Sequence, residues 1–200
     1  MEIVLATRNK KKVIEIQRIL DGLDIRFLTL DDFPECPEVL EDALTFEGNA
    51  LKKAIAIANC ADKIAVSDDS GLEVYALNGA PGVMSARYSG PGADDCANNE
   101  KLLDEMKSVV SKSRGARFIC IIAIAFPDGK TEIFQGTVEG NIVKKPVGTM
   151  GFGYDPLFCP NGFSKTFAEM NPDEKDAISH RRSALEKLRA YLNDLSFNYF

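Results

Sequence analysis

Lys63-Ile64-Ala65-Val66-Ser67-Asp68-Asp69-Ser70-Gly71-Leu72 is a short apolar run that ends in two adjacent carboxylates, a hydroxyl and a glycine. Ile64–Val66 has the length, β-branching and polar bounds of a buried strand. Such a strand delivers negative charge to the rim of a sheet, where ligands of α/β folds bind. Adjacent carboxylates repel unless a cation joins them or one keeps a proton. The cation that suits carboxylate oxygens while retaining water is Mg²⁺. The same residues also suit an Asp-rich turn, because Asp and Ser bond their own backbone.

Outward from this stretch, strands and helices alternate. Ile3–Ala6 reads as a first buried strand, and Asn9 as the N-cap of a helix carrying Val13, Ile16 and Leu20. Ile25–Leu30 reads as a second strand, followed by an acidic loop over 31–42 with Pro34 and Pro37. A helix is expected from about Thr45 to Asn59, a strand at Glu73–Leu77 and a helix from about Asp94 to Val110. Ala116–Phe126 and Thr131–Glu139 flank Asp128-Gly129 as a hairpin, which Gly140–Val143 extends. Leu185, Leu188, Leu192 and Leu195 form one stripe of a last helix that begins between Asp173 and Ser183. Strands that both alternate with helices and pair in a hairpin give an α/β class with a mixed sheet.

The chain has 200 residues, 45% hydrophobic and 27% charged, enough for one sizeable domain or one domain in two lobes. A net charge of −6 argues against a bulk nucleic-acid partner but leaves room for a small anion in a local basic pocket. No apolar run reaches the length of a membrane span and no signal-like segment opens the chain, so a cytoplasmic protein is expected. The five cysteines are odd in number and lack a CxxC pair, which predicts reduced thiols rather than a disulfide framework or structural zinc.

Four groups carry potential chemistry. Thr7, Arg8, Asn9, Lys10, Lys11 and Lys12 sit at the start of the first helix, where free N–H groups and the dipole attract phosphate; a solvated basic turn is the alternative. Asn49 and Lys53 share a helix face, and Glu41 becomes a third carboxylate only if its loop folds toward Asp68 and Asp69. Phe152, Gly153, Tyr154 and Asp155 place an aromatic ring beside an acid, which suits a flat heterocycle as well as a glycine-rich turn. Lys175, His180 and Arg181 make a cationic cluster that holds the only histidine, with no evident Ser–His–Asp system.

Taken in order, these motifs resemble the inosine triphosphate pyrophosphatase family, from Leu5 to Leu188. They are Leu5–Lys12, Thr45-Phe46 with Asn49-Ala50 and Lys53-Ala54, Ser67–Leu72, Gly79–Gly90, Gly151–Pro156, Lys165-Thr166 and Ile178–Arg181. The resemblance implies an elongated two-lobed α/β fold with a long central mixed β-sheet flanked by helices and a nucleotide cleft between the lobes. It implies a single domain over residues 1–200 without a separable linker, a homodimer, and dependence on Mg²⁺. The implied reaction cleaves noncanonical purine nucleoside triphosphates (ITP, dITP, XTP) to the monophosphate and pyrophosphate, cleansing the nucleotide pool. By the same resemblance Asp69 is the catalytic acid, with Asp68 and Lys53 beside it, and Glu41 and Asp69 are metal ligands. Ser70 and the run Thr7 to Lys12 contact phosphates, Phe152 to Asp155 bind the base, and Lys175, His180 and Arg181 close over the nucleotide. One departure stands out: many members carry Glu where this chain has Gly48, with Glu47 one place earlier. The rival readings are a related pyrophosphatase with another base preference and a non-catalytic nucleotide-binding protein.

Overall fold

A computed structural model describes residues 1–198. The first apolar run folds as β1 (Glu2–Leu5), with Ile3, Val4 and Leu5 wholly buried. Asn9 caps helix α1 (Lys10–Ile19), its side-chain oxygen accepting from the amides of Lys11 and Lys12. β2 (Arg26–Thr29) lies parallel to β1, with Leu5 opposite Thr29. Helix α2 (Phe46–Ala61) starts at Thr45, whose hydroxyl accepts the Gly48 amide. β3 (Ile64–Val74) is parallel to the other side of β1, with Leu5 opposite Val66.

β3 corrects the expected strand ends. It does not stop at Val66 and restart at Glu73; it runs unbroken through Asp68 and Asp69, and Tyr75–Leu77 is a single 3₁₀ turn. Apolarity alone ends a strand at its first charge, whereas a backbone ladder continues wherever a neighbour can pair and the charges find partners. β1 ends at Leu5, so the two aspartates lie just past the carboxyl end of the strand beside them.

Helix α3 (Asp95–Glu105) ends short of Val110, because the β-branched pair Val109-Val110 beside serine residues propagates a helix poorly. β4 (Gly115–Ala125) and β5 (Thr131–Ile142) form the hairpin, turning where the Phe126 amide meets the Lys130 carbonyl. β6 (Phe158–Pro160) runs antiparallel to β5, and the sheet order is β2-β1-β3-β4-β5-β6. The sheet is therefore mixed, as expected. The C-terminal helix is two helices, α4 (Pro172–Ile178) and α5 (His180–Asn198), separated by Ser179 in an extended conformation.

The chain forms two compact units. The first comprises Met1–Asp69, Cys120–Gly136 and the chain from Arg181; its core joins Ile3, Leu5, Ile16, Val66 and Ile122 to the expected stripe of Leu185, Leu188 and Leu192. The second comprises Ser70–Ile119 and Thr137–His180; Phe118, Phe158 and Phe167 sit at its core, with ring centroids of Phe118 and Phe158 4.7 Å apart. The chain passes from one unit to the other inside β3, β4 and β5, and at the His180–Arg181 bond.

The cysteines bring a second correction. Cys36 and Cys60 form a disulfide, with Cα atoms 5.7 Å apart, and Cys96, Cys120 and Cys159 are free thiols. Nothing in the spacing marks the pair, which forms because the segment before α2 folds back on the last turn of that helix. Among the described residues, no helix is long and apolar enough to cross a membrane.

Candidate active site

Neighbouring residues on a strand point to opposite faces. The pleat therefore turns the side chains of Asp68 and Asp69 to opposite faces and gives each its own surroundings.

Asp68 is wholly buried. Its carboxylate pairs with Lys12, accepts from Arg181 Nε at 2.8 Å and accepts from the Cys120 thiol at 3.1 Å. Arg181, itself 1% exposed, also pairs with Glu15 of α1. Burial pushes the Asp68 carboxyl up, but Arg181 and Lys12 outweigh it and hold the group well below the usual carboxylate range. Burial also pushes the Cys120 thiol well up, with the Asp68 charge adding to it, so the thiol stays protonated and donates. Two anions and two cations thus balance inside the first unit.

Asp69 meets a different set. Lys53 Nζ lies 3.8 Å from Asp69 Oδ1, donates to the Asp68 carbonyl at 2.8 Å and pairs with Glu41. Asp69 Oδ2 is buried and has no hydrogen-bond partner among the described residues. Burial dominates here: the carboxyl is pushed up to about 6, with Lys53 and Lys12 opposing and Glu41 adding to the rise. The Glu41 segment does fold back, as its candidacy required. Asn49, one turn before Lys53, accepts the Ala43 amide at 2.9 Å and so ties that segment to α2. The approach explains Gly48, where a Cβ would stand 2.9 Å from the Ala43 Cβ. Ser67, the first polar residue of the motif, donates to the Ala50 carbonyl and fastens β3 to α2.

Within the basic run, Lys12 is the half-buried member and turns to Asp68, while Arg8, Asn9, Lys10 and Lys11 are exposed. Asn9 spends its side-chain oxygen on the cap, the Thr7 hydroxyl accepts the Asn9 amide, and Arg8 donates to the Cys36 carbonyl. Ser70, half-buried, is the first residue of the second unit.

The second unit gathers the aromatic group. Lys175 Nζ donates to Asp155 Oδ2 at 2.7 Å, both side chains being buried, and stands 4.9 Å from the Phe152 ring centroid. Asp155 Oδ2 also accepts the Phe152 amide at 2.9 Å. Gly151, at φ +75, is required: a Cβ there would lie 2.0 Å from Asp155 Oδ2. Tyr154 is buried and donates to the Ser85 carbonyl. His180 stacks on Phe118, centroids 4.7 Å apart and planes 10° from parallel. His180 and Arg181, consecutive in sequence, fall in different units, and the Arg181 guanidinium is engaged by Asp68 and Glu15.

Sequence reasoning missed Glu15 and Cys120. Glu15 left a signal, since it lies three residues after Lys12 on one helix face. Cys120 left none inside an apolar strand. The implied Mg²⁺ can be tested against the donors: among the described residues no three His, Cys, Asp or Glu gather as a metal cage. Mg²⁺ takes one or two carboxylates and completes its shell with water and phosphate oxygens. Asp69, with a buried open oxygen, and Glu41, on the same lysine, fit that requirement.

The mixed α/β sheet and the lysine-flanked carboxylate past the end of a parallel strand define a class of protein: an α/β protein that gathers buried carboxylates and lysines at a strand end. The chain belongs to the Ham1 family, whose model matches residues 3–191. It is 53% identical over 190 residues to a dITP/XTP pyrophosphatase of Geobacter sulfurreducens, covering 95% of this chain and 96% of that one. It is 48% identical over 195 residues to a dITP/XTP pyrophosphatase of Desulforamulus reducens, covering 98% and 97%. A solved HAM1 protein from Coxiella burnetii shares the fold with a TM-score of 0.89 and 41% identity, covering 97% of this chain and 99% of that one.

Proposed function

We propose that this chain hydrolyses noncanonical purine nucleoside triphosphates, those of inosine, deoxyinosine and xanthosine, to the monophosphate and pyrophosphate, removing them before they enter DNA and RNA. It does so as one domain over its whole length, as a cytoplasmic homodimer and with Mg²⁺. The observation that carries the reading is Asp69: a buried carboxylate whose proton affinity is raised toward neutrality, with one open oxygen and a lysine beside it. The names of the two relatives supply the reaction class.

Asp69 takes the proton of the attacking water on its carboxylate, whose proton affinity burial has raised. Lys53 holds Asp69 and Glu41 in place and offers its charge to the phosphates. Lys12, with the exposed Arg8, Lys10 and Lys11, and Ser70 with Thr7 and Asn9, draw in and orient the triphosphate. Glu41 and Asp69 would hold Mg²⁺, which supplies neutralisation of the charge that develops on the phosphate oxygens. Asp68 keeps Lys12 aimed and stays ionised while doing so.

For the base, Phe152 offers a stacking face, with Gly153 and Tyr154 shaping the segment around it. Lys175, steadied by Asp155, presents an ammonium to the 6-keto oxygen of hypoxanthine or xanthine. His180 adds a second polar edge, and Arg181 fixes the backbone next to it. Adenine carries an amino group at that position and meets donors with a donor, and such mismatched polar groups discriminate strongly.

The test is pyrophosphate release from inosine, xanthosine, guanosine and adenosine triphosphates, with Mg²⁺ and with chelator. Mg²⁺-dependent release from the first two alone is expected. Release from a pyrimidine or another modified nucleotide in place of these would move the base preference, and no release from any triphosphate would reduce the protein to a binder.

A further inference from the structure

The aromatic segment is held by a second element in the same unit. Asp95, in the first turn of α3, accepts the Gly153 amide at Oδ2, 2.8 Å away. Asn99, one turn later on the same helix face, donates from Nδ2 to the Gly153 carbonyl at 3.0 Å. The amide belongs to the peptide joining Phe152 to Gly153, and the carbonyl to the peptide joining Gly153 to Tyr154. Both peptides that flank Gly153 are therefore fixed from one helix. Gly153 has no side chain through which packing could fix it, so the segment depends on such bonds for a single conformation. The neighbouring Asn98 does different work, accepting the Ser89 amide and donating to the Ala86 carbonyl.

Gly153 is linked to Asp155 and Lys175 through further hydrogen bonds. The orientation of the Phe152–Gly153 peptide sets the direction of the Phe152 ring. The Phe152 amide meets Asp155 Oδ2, and that same oxygen accepts Lys175. A shift at Gly153 therefore moves the ring, the acid and the ammonium together.

We infer that Asp95 and Asn99 are positioning residues for base recognition, acting on the nucleobase through Gly153 without touching it. The inference rests on the reading of Phe152 to Asp155 as the base-binding segment. The class of ligand is a flat purine with a keto oxygen at position 6.

Asp95→Ala, Asn99→Ala, Asp95→Asn and, as a control on the segment itself, Phe152→Ala are compared by steady-state kinetics on inosine triphosphate. Asp95 is exposed, so its replacement does not empty the core. Asp95→Ala and Asn99→Ala are expected to raise KM about fivefold, the worth of one hydrogen bond, with kcat unchanged. Asp95→Asn removes the charge from the start of α3 yet retains an oxygen that accepts the Gly153 amide, so it is expected to restore the wild-type KM. A lower thermal midpoint and lower kcat without a KM change, unrestored by Asp95→Asn, would make both residues structural and overturn the inference. A raised KM in Phe152→Ala with none in the α3 variants would overturn it while leaving the base segment standing. No KM change in Phe152→Ala either would bring down the base-site reading and the inference with it.

Discussion

Two neighbouring aspartates with the same side chain hold opposite electrostatic positions because the strand turns them apart. Asp68 is neutralised by two cations and Asp69 is short of them. Asp69→Asn is expected to fold and bind nucleotide while losing most of its turnover; near wild-type turnover would remove Asp69 as proton acceptor. The same variant has a stability signature. The folded protein keeps the Asp69 proton up to about pH 6, whereas an ordinary aspartate releases it near 3.8. Between those values the folded state binds the extra proton, so stability falls as pH rises across the window. Metal-free Asp69→Asn should therefore melt higher than the wild type above about pH 6 and match it below about pH 4, as read by thermal melts in chelator. Asp68 has the opposite sign: its depressed carboxyl contributes stability that is present above the unfolded value and is lost in acid. Asp68→Asn takes from Lys12 and Arg181 the buried anion that they share and is expected to cost about 3 kcal/mol in urea melts.

At the scale of elements, the sequence made the starts of things plainer than their ends. Asn9 caps its helix where side-chain chemistry placed it, and Thr45 and Asp94, the expected approximate starts of two others, cap those. The end of β3, the early stop of α3 and the break at Ser179 depend on pairing and packing, which no local pattern encodes. The candidate site followed the same division. Residues whose chemistry is conspicuous in a row, such as Asp68-Asp69 or Phe152 to Asp155, could be picked out directly. Residues that matter through a distant partner, such as Cys120 on Asp68 or Asp95 on Gly153, could not. Gly151 carries a sharp consequence for the loop before β6. Gly151→Ala drives a methyl group into Asp155 Oδ2 and displaces the partner of Lys175. Its KM for inosine triphosphate is expected to rise about tenfold, the cost of a charge-assisted bond, with the fold retained; an unchanged KM would separate Asp155 from base binding.

For the whole molecule, the α/β class and mixed sheet were legible because hydrophobic runs alternate with helical stripes before pairing at Asp128-Gly129. Two lobes were expected from length and from the family resemblance, but the places where the chain passes between its two units were not legible, because it crosses inside strands, where composition does not change. The disulfide escaped for a related reason, being a long-range contact between a loop and a helix end. That bond bears on how the molecule survives damage. Residues 31–45 form no helix or strand, and Cys36 is their only buried side chain. Leu40 and Leu44 are 70% and 93% exposed, so a protease of suitable preference should cut there first. Cys36 lies before those sites and Cys60 after them. A nicked chain should therefore run as one band on a denaturing gel without reductant and as two with it; two bands without reductant would mean that the cut fell elsewhere or the bond was open. A cut backbone in this segment need not release either piece, and the acid at position 41 stays tethered to the helix that holds its lysine.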